Sequence, residues 1–237
     1  MTWVMFDYGG VISQPLSAED VALLASVAGV SVPAFRAEYW EWRRAYDLAE
    51  LDAKGYWQHV GNGLRRDFGG GEISELIRLD SASWLRLQAG TVALIEDLAE
   101  AGHPLALLSN APQELATEIG GLPIAAYFGH LIFSCQLKLA KPDPRCYELA
   151  PRTLGVAKHE VLFVSSNGFD VAGAKRFGFH VAWVERGGGA MPPSSSDVGP
   201  TELFRLLRGG AERLGLSADK RVEALTDLPR VLAELAK

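Results

Sequence analysis

The chain is poor in cysteine, has no long apolar run and carries no excess of positive charge, and each shortage removes a class of protein. Its two cysteines, Cys135 and Cys146, are too few and too close for a disulfide framework and read as reduced, half-buried thiols. No stretch approaches the roughly 18 apolar residues that a membrane helix needs, and no basic segment precedes the first strand. The expectation is a cytoplasmic protein with no membrane partner. A formal net charge of -6 at pH 7 argues against nucleic acid as a partner. Internal repeats are lacking as well. What remains is an ordinary globular composition, 48% hydrophobic and 22% charged, which excludes disorder, in a chain of 237 residues that suffices for one large or two small domains.

The stretch around which the rest is organised is Trp3–Ile12. A continuous apolar run ending in Asp7, Gly9 and Gly10 reads as a buried parallel strand that delivers Asp7 to its C-terminal end, where open α/β sheets place their chemistry. Gly9 and Gly10 are suited to positive φ and to leaving backbone N–H groups free to face an anion. From roughly 15 to 88 the pattern is helical throughout. Ser17 starts one helix and Ser31 with Pro33 another. In the second, Phe35, Tyr39, Trp42 and Tyr46 share one face, a packing stripe, and Arg36, Trp40 and Arg43 share another. Further helices fall at Asp52–Val60 and Ile73–Leu87, separated from their neighbours by Gly61–Gly63 and Gly69–Gly71.

From Thr91 onward helices and strands alternate: a helix over Thr91–Ala101, strands at Leu105–Leu108, Leu131–Ser134, Val161–Val164 and His180–Val184, and helices between them. This succession implies a doubly wound parallel sheet of the α/β class with an inserted helical cap. The core is expected over 1–14 and 89–237 and the cap over 15–88. Within the core, 186–210 reads as a flexible Gly/Pro/Ser loop (Gly187–Ser196) and a short amphipathic piece, Thr201–Arg208. A strand-like Val222–Leu225 and a helix from Asp227 close the chain.

Parallel topology brings the polar groups at the strand ends to one edge: Asp7, Ser109 with Asn110, Lys141, and Ser165, Asn167 and Asp170. Singly each has an ordinary role. Ser109-Asn110 can cap a helix, Lys141 can be a solvated loop lysine, and Asp170 can sit in a first helical turn. Jointly they suit a carboxylate nucleophile. Asp7 attacking a small anionic substrate needs a cation to offset repulsion, which Lys141 supplies. Ser109 and Asn110 can bond substrate oxygens, and Asp170 can hold or deprotonate the water that hydrolyses a covalent ester.

Four motifs in this order, with a cap between the first two, resemble the haloacid dehalogenase-like hydrolase superfamily and its Rossmann-like core. Leu108-Ser109-Asn110, Lys141–Ala150 and Leu162–Ala174 are most similar to the 2-haloacid dehalogenases. That resemblance implies active-site roles for Asp7, Ser109, Asn110, Lys141, Tyr147, Ser165, Asn167 and Asp170. It also implies that an arginine of the early cap contacts the departing halide, with Arg36 the candidate. The chain departs from the dehalogenases at Gly9, Gly10 and Val11, where they carry Tyr-Gly-Thr. It departs from the phosphatases at Gly9, where they carry a second aspartate as general acid.

An alkoxide leaving group needs a proton, worth about 10²–10⁴-fold, whereas halide needs none. Ser166 stands where phosphatases commonly offer a metal-binding carboxylate, so only Asp7 and Asp170 remain as ligands for Mg²⁺. The expectation is therefore carbon–halogen hydrolysis without a cofactor. The alternative is a Mg²⁺-dependent phosphatase acting on a small phosphomonoester. A second alternative is a non-catalytic member that binds a small acid or a protein. A phospho-accepting signalling domain is disfavoured by the cap and by an acceptor on the first strand. The aromatic cap and Thr201–Arg208 suggest self-association as a homodimer.

Overall fold

The computed structural model describes residues 1–184, 220–222 and 225–235. β1 (Trp3–Phe6) lies inside a six-stranded sheet of order β3-β2-β1-β4-β5-β6 in which every pairing is parallel. Its neighbours are β2 (Leu105–Ser109) and β4 (Val161–Ser165), with Met5 opposite both Ala106 and Phe163. β3 (His130–Phe133), β5 (His180–Val184) and β6 (Lys220–Val222) complete the sheet. The inner strands need not alternate in polarity because both faces are covered. What alternates is the face each residue serves. Val4, Phe6, Leu107 and Val164 enter one apolar cluster, and Met5, Leu108 and Phe163 enter the other. The second face is covered by α9 (Pro144–Leu154) and α10 (Gly168–Phe177) through Tyr147, Ala150, Val171 and Ala174. On the first face lie α6 (Ala89–Glu100), α7 (Gln113–Gly120) and α11 (Leu228–Leu235). The expected loop and amphipathic piece at 186–210 lie outside the described residues. Of the strand expected at Val222–Leu225, Val222 lies in a strand over Lys220–Val222 and Leu225 opens a 3-10 turn, while 223 and 224 lie outside the described residues.

Five helices stand between β1 and α6: α1 (Ala18–Ala28), α2 (Val32–Glu41), α3 (Arg43–Asp47), α4 (Ala53–Gly63) and α5 (Gly70–Trp84). Ser17 opens α1 with a capping box, its hydroxyl accepting from the Asp20 N–H while Asp20 accepts from the Ser17 N–H. Asp52 opens α4 by accepting from the Gly55 N–H at 2.7 Å. Three expectations need correcting here. Gly61–Gly63 do not follow α4 but form its last turn. Gly70 and Gly71 do not separate helices but form the first turn of α5, where N–H groups lack intrahelical partners and Glu72 reaches back to the Gly69 N–H at 2.8 Å. Nor does α5 run to Leu87. It stops at Trp84 because the chain leaving the insertion pairs with the chain entering it: the Gln14 N–H bonds the Arg86 carbonyl and the Gln88 N–H bonds the Ile12 carbonyl.

The aromatic stripe is real over part of its length. Phe35, Tyr39 and Tyr46 are buried, but the helix breaks at Trp42, which caps both α2 and α3 and is left exposed beside His59, ring centroids 4.5 Å apart. The break rotates Arg43 inward, where it is 6% exposed. Its Nη1 meets Asp80 Oδ2 at 2.9 Å and its Nε meets Asp47 Oδ1 at 3.0 Å, while the Tyr39 hydroxyl donates to Asp80 Oδ1 at 2.5 Å. Among the described residues no single helix is long and apolar enough to cross a membrane.

After α3 the chain passes through Ala49 at φ +50°, a left-handed conformation that disfavours any side chain. Ala49→Gly removes a steric cost of about 1–2 kcal/mol and restores about 0.4–1 kcal/mol of chain entropy to the unfolded state. The expected net is a gain of about 0.5–1 kcal/mol, read as a higher urea midpoint at unchanged m-value. A lower midpoint would mean that the Ala49 methyl packs more than its backbone strains.

Candidate active site

Asp7 follows β1, and its N–H still continues the ladder by bonding the Val164 carbonyl at 2.9 Å. The carboxylate is nearly enclosed, its partners coming from its own turn, the loop before α9 and the end of β4. Oδ1 accepts from the Tyr8 N–H at 2.8 Å and meets Lys141 Nζ at 2.6 Å. Oδ2 accepts from the Ser165 hydroxyl at 2.9 Å. Lys141 Nζ also reaches Asp170 Oδ2 at 3.2 Å and lies 5.3 Å from the centroid of the Phe163 ring. One ammonium thus bridges two buried carboxylates. Burial works against the charged lysine, but Asp170 and Asp7 outweigh it and hold its pKa above the ordinary lysine value. Burial pushes the Asp170 carboxyl up to about 6, with Lys141 opposing the rise and the Asp7 charge adding to it.

The remaining residues build the frame. Asn110 clamps the main chain of Lys141, its Nδ2 donating to the Lys141 carbonyl at 2.9 Å and its Oδ1 accepting from the Lys141 N–H at 2.8 Å. Asn167 caps α10 by accepting from the Phe169 N–H at 2.9 Å, and its own N–H donates to the Ser165 hydroxyl at 3.2 Å. This sets Asp170 in the first turn. Ser109 ends β2, buried, with its hydroxyl donating to the Asn110 carbonyl at 3.3 Å. No hydrogen bond joins it to Asp7 among the described residues. Gly10 takes φ +71°, and a Cβ there would lie 2.8 Å from Ser166 Oγ, so the turn requires glycine. Gly9 does not take positive φ; a Cβ there would face the Trp84 ring at 3.6 Å.

Two residues stand apart from their expected places. The Tyr147 hydroxyl donates to the Asp170 carbonyl at 3.2 Å, and its ring packs where a Cβ on Gly173 would clash, so it buttresses α10 from behind. Arg36 is exposed on α2 and makes no bond to the constellation among the described residues. Arg36, the arginine expected to meet the departing halide, lies on the exposed side of α2, while the helix break at Trp42 turns Arg43 inward to Asp47 and Asp80. Sequence reasoning missed Trp84, whose indole faces Gly9 and lies 5.8 Å from the Arg43 guanidinium. It also missed Ser134, hidden as the apparent end of a strand. A cleft of about 380 Å³ opens at the seam between α2, α3 and the loop 138–145, lined by Trp42, Arg44, Leu48, Lys138, Ala140 and Arg145.

Residues 1–178 match the family model described as haloacid dehalogenase-like hydrolase. The chain belongs to the haloacid dehalogenase-like hydrolases. Among curated members of this family it is similar to the (S)-2-haloacid dehalogenase of Xanthobacter autotrophicus, 41% identical over 135 residues, which is 55% of this chain and 53% of that protein. It is also similar to (S)-2-haloacid dehalogenase 2 of Pseudomonas sp. strain CBS-3, 34% identical over 139 residues, 58% of this chain and 52% of the relative. The chain thus spans about half the length of the curated relatives it matches. A solved structure, the L-2-haloacid dehalogenase from Xanthobacter autotrophicus with chloropropionic acid covalently bound, superposes with a TM-score of 0.67 at 26% identity, covering 98% of this chain and 99% of that one. The fold and hydrolase class expected of a haloacid dehalogenase-like chain therefore hold.

Proposed function

We propose that this hydrolase acts on a small 2-haloacid, with Asp7 as nucleophile, and that residues 15–88 serve as a cap over the site. An Asp7 oxygen forms a bond to C2 of the substrate as the carbon–halogen bond breaks, and the halide leaves with the electron pair. Water, giving its proton to Asp170, then attacks the carboxyl carbon of the aspartyl ester. As the ester C–O bond breaks, Asp170 returns that proton to the leaving oxygen, a 2-hydroxyacid is released, and Asp7, left as the free acid, gives its proton to solvent and is restored as carboxylate. Lys141 offsets the repulsion between an anionic substrate and Asp7 in both steps.

The observation that carries this reading lies at Gly9. The place from which an acid would protonate an alkoxide holds no side chain and is faced by the Trp84 indole. A halide needs no such proton. The donor set does not suit a divalent cation either: Asp7 and Asp170 share the Lys141 ammonium, and Ser166 contributes a hydroxyl directed at the Gly9 carbonyl at 3.5 Å. No group of three or more His, Cys, Asp or Glu side chains placed to hold a metal occurs among the described residues. The curated relatives named as (S)-2-haloacid dehalogenases support the same substrate class.

The test is halide release from short (S)-2-haloacids and phosphate release from common phosphomonoesters, each with Mg²⁺ and with EDTA. Halide release that persists in EDTA is the expected result. Phosphate release that requires Mg²⁺, without halide, overturns the reading.

The same site sets a pH dependence. If Asp170 must be ionised to take the proton from water, turnover rises through an ascending limb near pH 6. Asp170→Asn is expected to release halide once per active site and then stall with a covalent adduct on Asp7, seen as a mass increase in the intact protein. The stability consequence has the opposite sign. A carboxyl with a raised folded pKa binds its proton more tightly when folded, so its contribution is fullest below its ordinary 3.8 and is lost as pH rises through about 6. A pH-independent rate between 5 and 7 would remove Asp170 as the base.

A further inference from the structure

Ser134 begins α8 (Ser134–Leu137) directly after β3 and is 2% exposed. Its hydroxyl donates to the Asp47 carbonyl at 2.6 Å and accepts from the Ala111 N–H at 3.0 Å. Those two partners belong to different parts of the molecule. Ala111 follows Asn110, the residue that clamps the Lys141 main chain on both sides. Asp47 ends α3 in the helical insertion, and its carboxylate takes the Nε of Arg43. Arg43 in turn holds Asp80 of α5, and α5 ends at Trp84, over Gly9. The contacts close a ring from Asp7 through Lys141, Asn110, Ala111 and Ser134 into the insertion, and back through Arg43, Asp80 and Trp84 to the turn that carries Asp7. Ser134 is the side chain through which the Asn110–Ala111 segment of this ring meets the insertion.

We propose that Ser134 is a positioning residue that couples the seating of the cap to the placement of Lys141. The proposal rests on the dehalogenase reading for its kinetic arm only. Without the hydroxyl, the Asp47 carbonyl and the Ala111 N–H lose their common partner, and the cap and the Asn110–Lys141 corner are free to shift independently. Other links at the seam do not substitute for it. Tyr46 donates to Glu114 at 2.9 Å and Lys138 Nζ to the Ala49 carbonyl at 3.2 Å, and neither reaches the Asn110–Ala111 segment.

The test compares Ser134→Ala with Ser83→Ala. Ser83 is also a buried hydroxyl with one short bond, to the Asp80 carbonyl at 2.6 Å, but it lies wholly inside α5. Both variants are expected to melt lower than the parent. Only Ser134→Ala is expected to lose kcat, by about ten- to a hundredfold, the scale of a small misplacement of reacting groups, with KM changed by less than about threefold. Hydrogen exchange gives a readout independent of turnover: the Ala111 amide and residues 48–51 are expected to exchange faster together in Ser134→Ala and not in Ser83→Ala. Parental kcat in folded Ser134→Ala, or faster exchange confined to Ala111, overturns the proposal. If the parent itself releases no halide, the functional reading fails alone and the exchange result decides this one.

Discussion

Asp7→Asn is expected to abolish turnover, by about 10⁴-fold or more, while leaving a folded protein. The substitution keeps the shape of the side chain and most of its bonds. An amide oxygen still accepts from Ser165 or from the Tyr8 N–H, and the strand ladder through the Asp7 N–H is untouched. What disappears is the charge and the nucleophilic oxygen pair. Lys141 keeps Asp170 as a counterion at 3.2 Å, so the buried ammonium is not orphaned and the loss of stability should stay within about 1–3 kcal/mol. The measurement is halide release per active site together with circular dichroism and a melting curve. A folded variant that still turns over at more than about a hundredth of the parental rate would mean that water attacks the substrate directly and that Asp7 only orients it. A slow return of activity over hours would instead point to deamidation back to aspartate, visible as a one-dalton mass change, and early time points separate the two.

How far the sequence foretold this site depends on the kind of interaction involved. Asp7, Ser165, Asn167 and Asp170 were legible because they sit at strand ends or in the turns after them, and a parallel sheet brings those ends together whatever the loops do. Lys141 was legible for its charge and for the polar company it keeps across the sheet edge. The double bond from Asn110 to the Lys141 main chain was not, since nothing in the chain's spacing announces a side chain that recognises a backbone 31 residues away. Arg36 and Arg43 show where periodicity fails. The 3.6-residue phase was carried through Trp42, which set both on one face; the break there buries Arg43 while Arg36 stays exposed on α2. Glycine misled in the same manner: Gly70 and Gly71 look like a linker, yet they form the first turn of α5, whose N–H groups need no partner within the helix, with Glu72 closing the Gly69 N–H. Tyr147 was found as a site residue, but its role in holding α10 depends on Gly173 leaving room for its ring, a packing relation with no local signature.

Lys141→Met tests the electrostatic argument hardest, because it removes a charge and keeps the volume. Asp7 and Asp170 are then left facing each other, 6% and 5% exposed, without the ammonium between them. Breaking a buried ion pair on one side costs about 3–5 kcal/mol, and turnover is expected to vanish with it, since nothing then offsets the repulsion of an anionic substrate. The loss should depend on pH in a definite direction. Like charges in a low-dielectric site relieve themselves by taking up a proton, which raises the folded-state pKa of Asp170 beyond the rise already present. Well below the ordinary 3.8 the Asp170 carboxyl is neutral in the folded and unfolded chains alike, and the variant approaches the parent. The unfolded chain has already released its protons by the time pH passes 6, where the parent's Asp170 ionises; above that the variant must still give up its more tightly held proton at a cost, so the gap widens to its full value. In the parent the lysine adds a limb at the other end of the scale: its stabilising charge is fully present below the ordinary 10.5 and is lost as pH rises through the higher folded value. Urea unfolding of both proteins at about pH 5 and pH 8 reads the difference directly. An equal loss of stability at the two pH values would show that Lys141 contributes independently of carboxylate ionisation, as through the contact of its Nζ with the Phe163 ring.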